Sequence, residues 1–220
     1  MSVIGSSILA GASGAAGGGD PVYVDDVFST YLWDGNSTNR TISNGIDLAS
    51  EGGFVWIKRR NSAANHVLQD TERGASSYLA SDNANPAYTA SDLITSFNSN
   101  GFSLGTQVKV NSTGSEYASW TFRKAPGFFD VVTFSGTGST QNISHSLGSV
   151  PGTMLVRCLV GTHDWEVYHR STGATKSLHL NQTYAATTDS TVWNNTTPTA
   201  TQFTVGTSNN VNQSGHTYVA

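Results

Sequence analysis

The densest group of titratable side chains in this 220-residue chain is His163, Asp164, Glu166 and His169, types that could ligate a metal ion or exchange protons. Their spacing argues against both uses. On an extended strand, successive side chains point to opposite faces. Glu166 then shares one face with Tyr168 and Arg170, while His169 shares the other with Trp165 and Val167. Two further carboxylate pairs could serve sugar hydrolysis if they converged across a cleft. Asp25 and Asp26 are adjacent and would point to opposite sides of a strand, whereas Asp70 and Glu72 lie next to Arg73 and a turn that offer local ion pairing. The reading therefore assigns no catalytic residue, no metal ligands and no cofactor.

Aromatic side chains offer another kind of site, a platform for carbohydrate rings. Trp33, Trp56, Trp120 and Trp165 fall on predicted strands and read as core, while Trp193, followed by Asn194-Asn195-Thr196-Thr197, reads as exposed. Trp193, Asn194 and Asn195 are thus the candidate glycan contacts. The single cysteine, Cys158, lies in the apolar run Met154–Val160, which excludes an intrachain disulfide and predicts a buried thiol in a strand.

Charged residues form only 12% of the chain and the formal net charge is −4, so nothing draws it to a phosphate backbone. The longest basic run, Lys58-Arg59-Arg60, reads as a solvated strand end. No apolar stretch approaches the roughly 20 residues needed to cross a bilayer as a helix. At the N-terminus, Val3, Ile4, Ile8 and Leu9 form an apolar tip, tethered by Gly17-Gly18-Gly19. A basic leader is missing and glycines break the apolar part, so an arm that orders against a partner subunit fits better than a signal peptide.

The elements that must position these residues emerge from an internal repeat. Phe102, Gly105, Gly114 and Tyr117 recur as Phe203, Gly206, Gly215 and Tyr218 at a constant shift of 101, while Gly53, Gly74 and Leu79 recur as Gly152, Gly173 and Leu178 at a shift of 99. Short apolar-alternating runs separated by turn residues predict strands throughout, with Ser91–Phe97 read as an edge strand over a short helix. The predicted fold is all-β: two tandem antiparallel β-sandwich modules preceded by an extended Gly/Ala/Ser-rich arm. The boundaries are 1–20 for the arm, 21–125 for the first module and 126–220 for the second. One jelly-roll sandwich formed by both halves is the alternative. Ala220 aligns with Ser119, so counterparts of Trp120, Thr121 and Phe122 are missing from the second closing strand. The expectation is that the natural chain continues, or else that a neighbouring subunit supplies the remainder.

Several strings carry a resemblance. Val24–Thr30, Asn44–Leu48, Glu51–Lys58, Asp70–Gly74, Asn98–Gly105, Ser119–Val132, Leu147–Gly152 and Val167–Arg170 together resemble a domain of uncharacterised function found in structural proteins of tailed bacteriophages, many from marine hosts. The arm Ile4–Gly14 is similar to the start of other phage tail and fibre proteins. The resemblance implies a virion structural protein, a tail fibre or appendage subunit docked through Val3, Ile4, Ile8 and Leu9. Its implied partners are other virion proteins of tail, collar or capsid, with further copies of itself, plausibly as a trimer. The alternatives are a host-surface glycan receptor module, a capsid decoration or head-fibre protein and, more remotely, a depolymerase. No catalytic residue is implied.

Overall fold

A computed structural model describes residues 22–220. The anchor residues Val3, Ile4, Ile8 and Leu9 lie outside the described residues. The first half opens on one helical turn, α1 (Val24–Val27), followed by β1 (Phe28–Asp34), β2 (Arg40–Ser43), β3 (Gly53–Arg59), β4 (Val67–Asp70), β5 (Ser77–Tyr78), β6 (Tyr88–Thr89), β7 (Ile94–Asn98) and β8 (Gly101–Leu104). The turn α2 (Val108–Asn111) and β9 (Glu116–Arg123) complete it. The second half comprises β10 (Thr133–Ser135), β11 (Gln141–Ser144), β12 (Thr153–Cys158), β13 (Glu166–His169), β14 (Lys176–His179) and β15 (Thr187–Thr188). It ends with α3 (Ser190–Trp193), β16 (Gln202–Val205), α4 (Asn209–Asn212) and β17 (Thr217–Val219).

The protein is all-β, and its ladders are antiparallel. One sheet of the first half has the order β1-β9-β3-β4 and another β2-β8-β7. The second half repeats these orders in β10-β17-β12-β13-β14-β15 and β11-β16. Period-two alternation explains the burial: in β3, Val55 and Ile57 are buried while Phe54 and Trp56, on the opposite face, are half-buried. Val55 and Ile57 join Trp33 and Tyr117 from the same sheet and Ile42, Ile94 and Phe102 from the other in one apolar cluster. The second half has its own, built on Val156, Tyr168, Trp193, Phe203 and Tyr218.

A third cluster lies at the seam. Leu68 and Leu79 of the first half pack with Val131, Trp165 and Val219 of the second. The Trp165 Nε1–H donates to the Ala80 carbonyl at 2.9 Å, and the Ala87 N–H donates to the Leu159 carbonyl at 2.9 Å. β3 is therefore covered on both sides, as its bulk predicts, but its second cover is the other half.

One expectation needs correction here. Asp25 and Asp26 sit in α1, where the Asp26 carboxylate accepts the Tyr23 N–H at 2.8 Å, so they are not on a strand. Capping a helix start explains an acidic pair there. The edge strand expected over Ser91–Phe97 is present as β7, and its second-half counterpart is the helical turn α3.

Candidate functional site

Where each half sets its closing strand, the halves diverge. In the first, β9 runs between β1 and β3, pairing Thr30 and Trp56 with Trp120, and Phe28 and Phe54 with Phe122. In the second, β17 meets β12 only at Arg157↔Val219 and Cys158↔Tyr218, although Ala220 still exchanges backbone hydrogen bonds with Val132. Thr153–Val156 pair with β13 on one side and have no ladder on the other among the described residues. The lane between Phe129–Val132 and Thr153–Val156 forms the floor of a cleft of about 290 Å³.

The walls of this cleft are apolar. Phe129 packs over Phe54 at 5.9 Å and Phe122 at 5.4 Å between ring centroids, and Leu155, Trp165 and Val219 face them. The charged residues of its lining are Asp70, Arg73 and Asp130. Asp70 accepts from Arg73 Nε at 2.6 Å, both side chains being almost fully buried, while Arg73 Nη2 donates to the Leu68 carbonyl at 3.1 Å. Arg73 Nη1, on a residue of the cleft lining, has no hydrogen-bond partner among the described residues. Lys124 bridges Glu72 at 2.9 Å and Asp130 at 3.2 Å. Burial works against its charge, but the hydrogen bonds and charges of the two carboxylates outweigh it and hold the Lys124 pKa above the ordinary lysine value. An unpaired strand edge beside aromatic walls can take an extended segment whose backbone completes the ladder.

The residues singled out from sequence fare differently. Trp193 is 1% exposed, packed edge-on to Tyr168 at 6.1 Å, and its indole cannot serve as a surface platform. The reason is a register detail: Gly206 N–H donates to the Val192 carbonyl as Gly105 N–H donates to that of Leu93, so Trp193 takes the core place of Ile94. Asn194 and Asn195 are exposed, with φ of 50° and 51°, and end α3 in the left-handed conformation that asparagine tolerates. The titratable group is dispersed. Glu166 is buried beneath Ser177 and Asn210, His169 is exposed on the opposite face, and Asp164 accepts amide hydrogens from Asn181 and Gln182 at 2.7 Å each. Burial raises the Asp164 pKa, but these hydrogen bonds outweigh it and leave it below the ordinary aspartate value. Asp70 and Glu72 are both engaged by cations, Arg73 and Lys124.

Residues 24–220 match the sequence model of the family described as a domain of unknown function, DUF7483. The chain belongs to that family. The DUF7483 match includes both halves, the seam and the cleft, so the duplicated pair lies within a single family unit. No curated protein and no solved structure matches the chain.

Proposed function

We propose that this DUF7483 chain is a structural subunit of a tailed-phage virion, a tail fibre or appendage component, built as two tandem β-sandwich units and docked through its N-terminal arm. The resemblance to phage structural proteins supplies the setting. The observation that carries the assembly role is the apolar cleft beside β12, lined by Phe54, Phe129, Leu155 and Trp165 from both halves. In this reading, an extended segment, whether of this polypeptide or of a neighbouring virion protein, lies along Thr153–Val156, alternating small polar and aromatic side chains as Ser119-Trp120-Thr121-Phe122 does in the first half.

Labelling of intact particles with an antibody against the chain tests the placement. Signal on a tail appendage is the expected result; label on the capsid alone, or on no particle, would sink the reading. Leu155→Asp tests the lane, with the expectation of folded protein that no longer incorporates into particles. Normal incorporation would remove the lane from the assembly reading. Host-glycan recognition, the second reading, loses the Trp193 platform, and only the exposed Asn194-Asn195 turn remains of its three contacts.

A further inference from the structure

The ladder pair Cys158↔Tyr218 draws the turn preceding β17 over the end of β12, and with it His216 over Cys158. His163, in the turn between β12 and β13, completes a group whose ligand atoms all lie within 4.8 Å of one another. We propose that Cys158, His163 and His216 bind one zinc(II) ion, with solvent at the fourth position. This site is independent of the assembly role, and local spacing predicts no metal ligands because Cys158 and His216 lie 58 residues apart in the sequence.

Three observations support it. The first is spacing: Cys158 Sγ and His216 Nδ1 are 3.5 Å apart. Zinc bonds of about 2.3 Å to sulfur and about 2.0 Å to nitrogen, at a tetrahedral angle, separate the two ligand atoms by roughly 3.5 Å. The second is tautomer control. Asn210 Nδ2 donates to Glu166 Oε1 at 2.7 Å, which turns Asn210 Oδ1 towards His163 Nδ1 at 3.3 Å. An amide oxygen only accepts, so His163 Nδ1 carries the proton and Nε2 keeps its lone pair. A histidine ligand oriented by a hydrogen bond through its other nitrogen is the arrangement metal sites use. Glu166, 2% exposed, backs the relay and also accepts from the Ser177 hydroxyl.

The third observation comes from the repeat. Equivalent positions in the first half hold Arg59, Ala64 and Ser115, none of them a thiolate or imidazole. There the same two turns are tied by Asn61, whose Nδ2 donates to the Gly114 carbonyl at 3.1 Å and whose Oδ1 accepts the Glu116 N–H at 3.3 Å. The second half has Val160 at that place and cannot make this clamp. Sulfur with two imidazoles selects a borderline-soft tetrahedral ion over calcium or magnesium, which prefer oxygen. As the Zn–S bond forms, the Cys158 S–H proton passes to solvent, so affinity falls as pH falls.

The test is titration of chelator-treated protein with cobalt(II), then zinc(II). Expected are a thiolate-to-cobalt charge-transfer band with tetrahedral ligand-field bands, saturation at one ion per chain, and displacement by zinc. Cys158→Ser should abolish the charge-transfer band, and His216→Ala should weaken binding at least tenfold. Asn210→Ala, which touches only the relay, should weaken it about 10–100-fold. His169→Ala, on the exposed face of β13, should change nothing and thereby separates the site from adventitious histidine binding. Near-ultraviolet circular dichroism checks that each variant is folded, and the wild-type titration stands without them. Failure of the wild-type protein to take up cobalt or zinc at micromolar concentration, or equal loss in the His169→Ala control, overturns the proposal.

Discussion

Asn111 and Asn212 occupy the same buried place in the two halves and share three hydrogen bonds, to which Asn212 Oδ1 adds one accepted from Gln141 Nε2 at 2.7 Å. Asn111 Nδ2 donates to the Thr38 and Gly105 carbonyls at 2.6 and 2.9 Å, and Asn212 Nδ2 to the Ser139 and Gly206 carbonyls at 2.7 and 2.6 Å. Their Oδ1 atoms accept the Asn36 and Thr137 N–H groups at 3.1 and 2.9 Å. Each amide joins the loop after the first strand to the loop before the closing strand. Replacing either by alanine removes two hydrogen bonds to carbonyls and one from an N–H, and an unsatisfied buried group costs about 1–3 kcal/mol. Asn111→Ala and Asn212→Ala should each lower stability by roughly 2–4 kcal/mol in urea unfolding; a loss below about 0.5 kcal/mol would show that water replaces the amide.

The repeated glycines divide into two mechanisms. A Cβ on Gly105 would lie 2.3 Å from the Asp92 carbonyl oxygen, and on Gly206 2.2 Å from that of Thr191, so the backbone itself must move. Gly206→Ala should destabilise by at least about 1–3 kcal/mol. At Gly173, φ is +75° and nothing lies within 4 Å of the added carbon. Gly173→Asn should be nearly neutral, because asparagine tolerates that conformation. Thermal melts of both variants compare the cases, and equal losses would contradict the distinction.

Trp165 is the pin of the seam, 4% exposed and bonded to Ala80. Trp165→Ala should cost about 3–5 kcal/mol, as large aromatic truncations do. Because each half keeps its own apolar cluster, calorimetry should resolve two transitions where the parent shows one. A single transition in the variant would mean that the halves do not fold separately.

Acid should weaken the first half through His66. Its Nδ1 accepts the Trp56 indole N–H at 2.7 Å, and burial, aided by Lys58, lowers its pKa below 6.5. Since the unfolded chain binds the proton more readily, stability is level above about pH 6.5 and falls as pH drops below it. Urea midpoints from about pH 8 to about pH 5 should decline less steeply for His66→Gln than for the parent. Parallel curves would remove His66 from the acid response.

The sequence exposes whatever depends on local period and repeated turns. The strand-length apolar run at Phe54–Lys58, the buried thiol of Cys158 and the paired positive-φ turns at Gly74 and Gly173 all follow from neighbours within a few residues. Trp193 reads as exposed because Asn194–Thr197 are polar, yet its alignment with Ile94 at a shift of 99 places it in the core. The lane beside β12 is foreshadowed by the match of Ala220 to Ser119, but its roof of Phe129 over Phe54 depends on how the halves meet. The Cys158–His216 approach spans 58 residues and arises from strand pairing alone.

The seam also bears on mechanics. The halves are joined once along the chain, through the hydrogen-bonded Ala125–Phe129 turn, and again where Ala80, Ala84 and Ala87 meet Trp165, His163 and Leu159. One tether would be a swivel. Two connections restrain rotation of one half against the other more than a single tether would, and so couple β1 to β17.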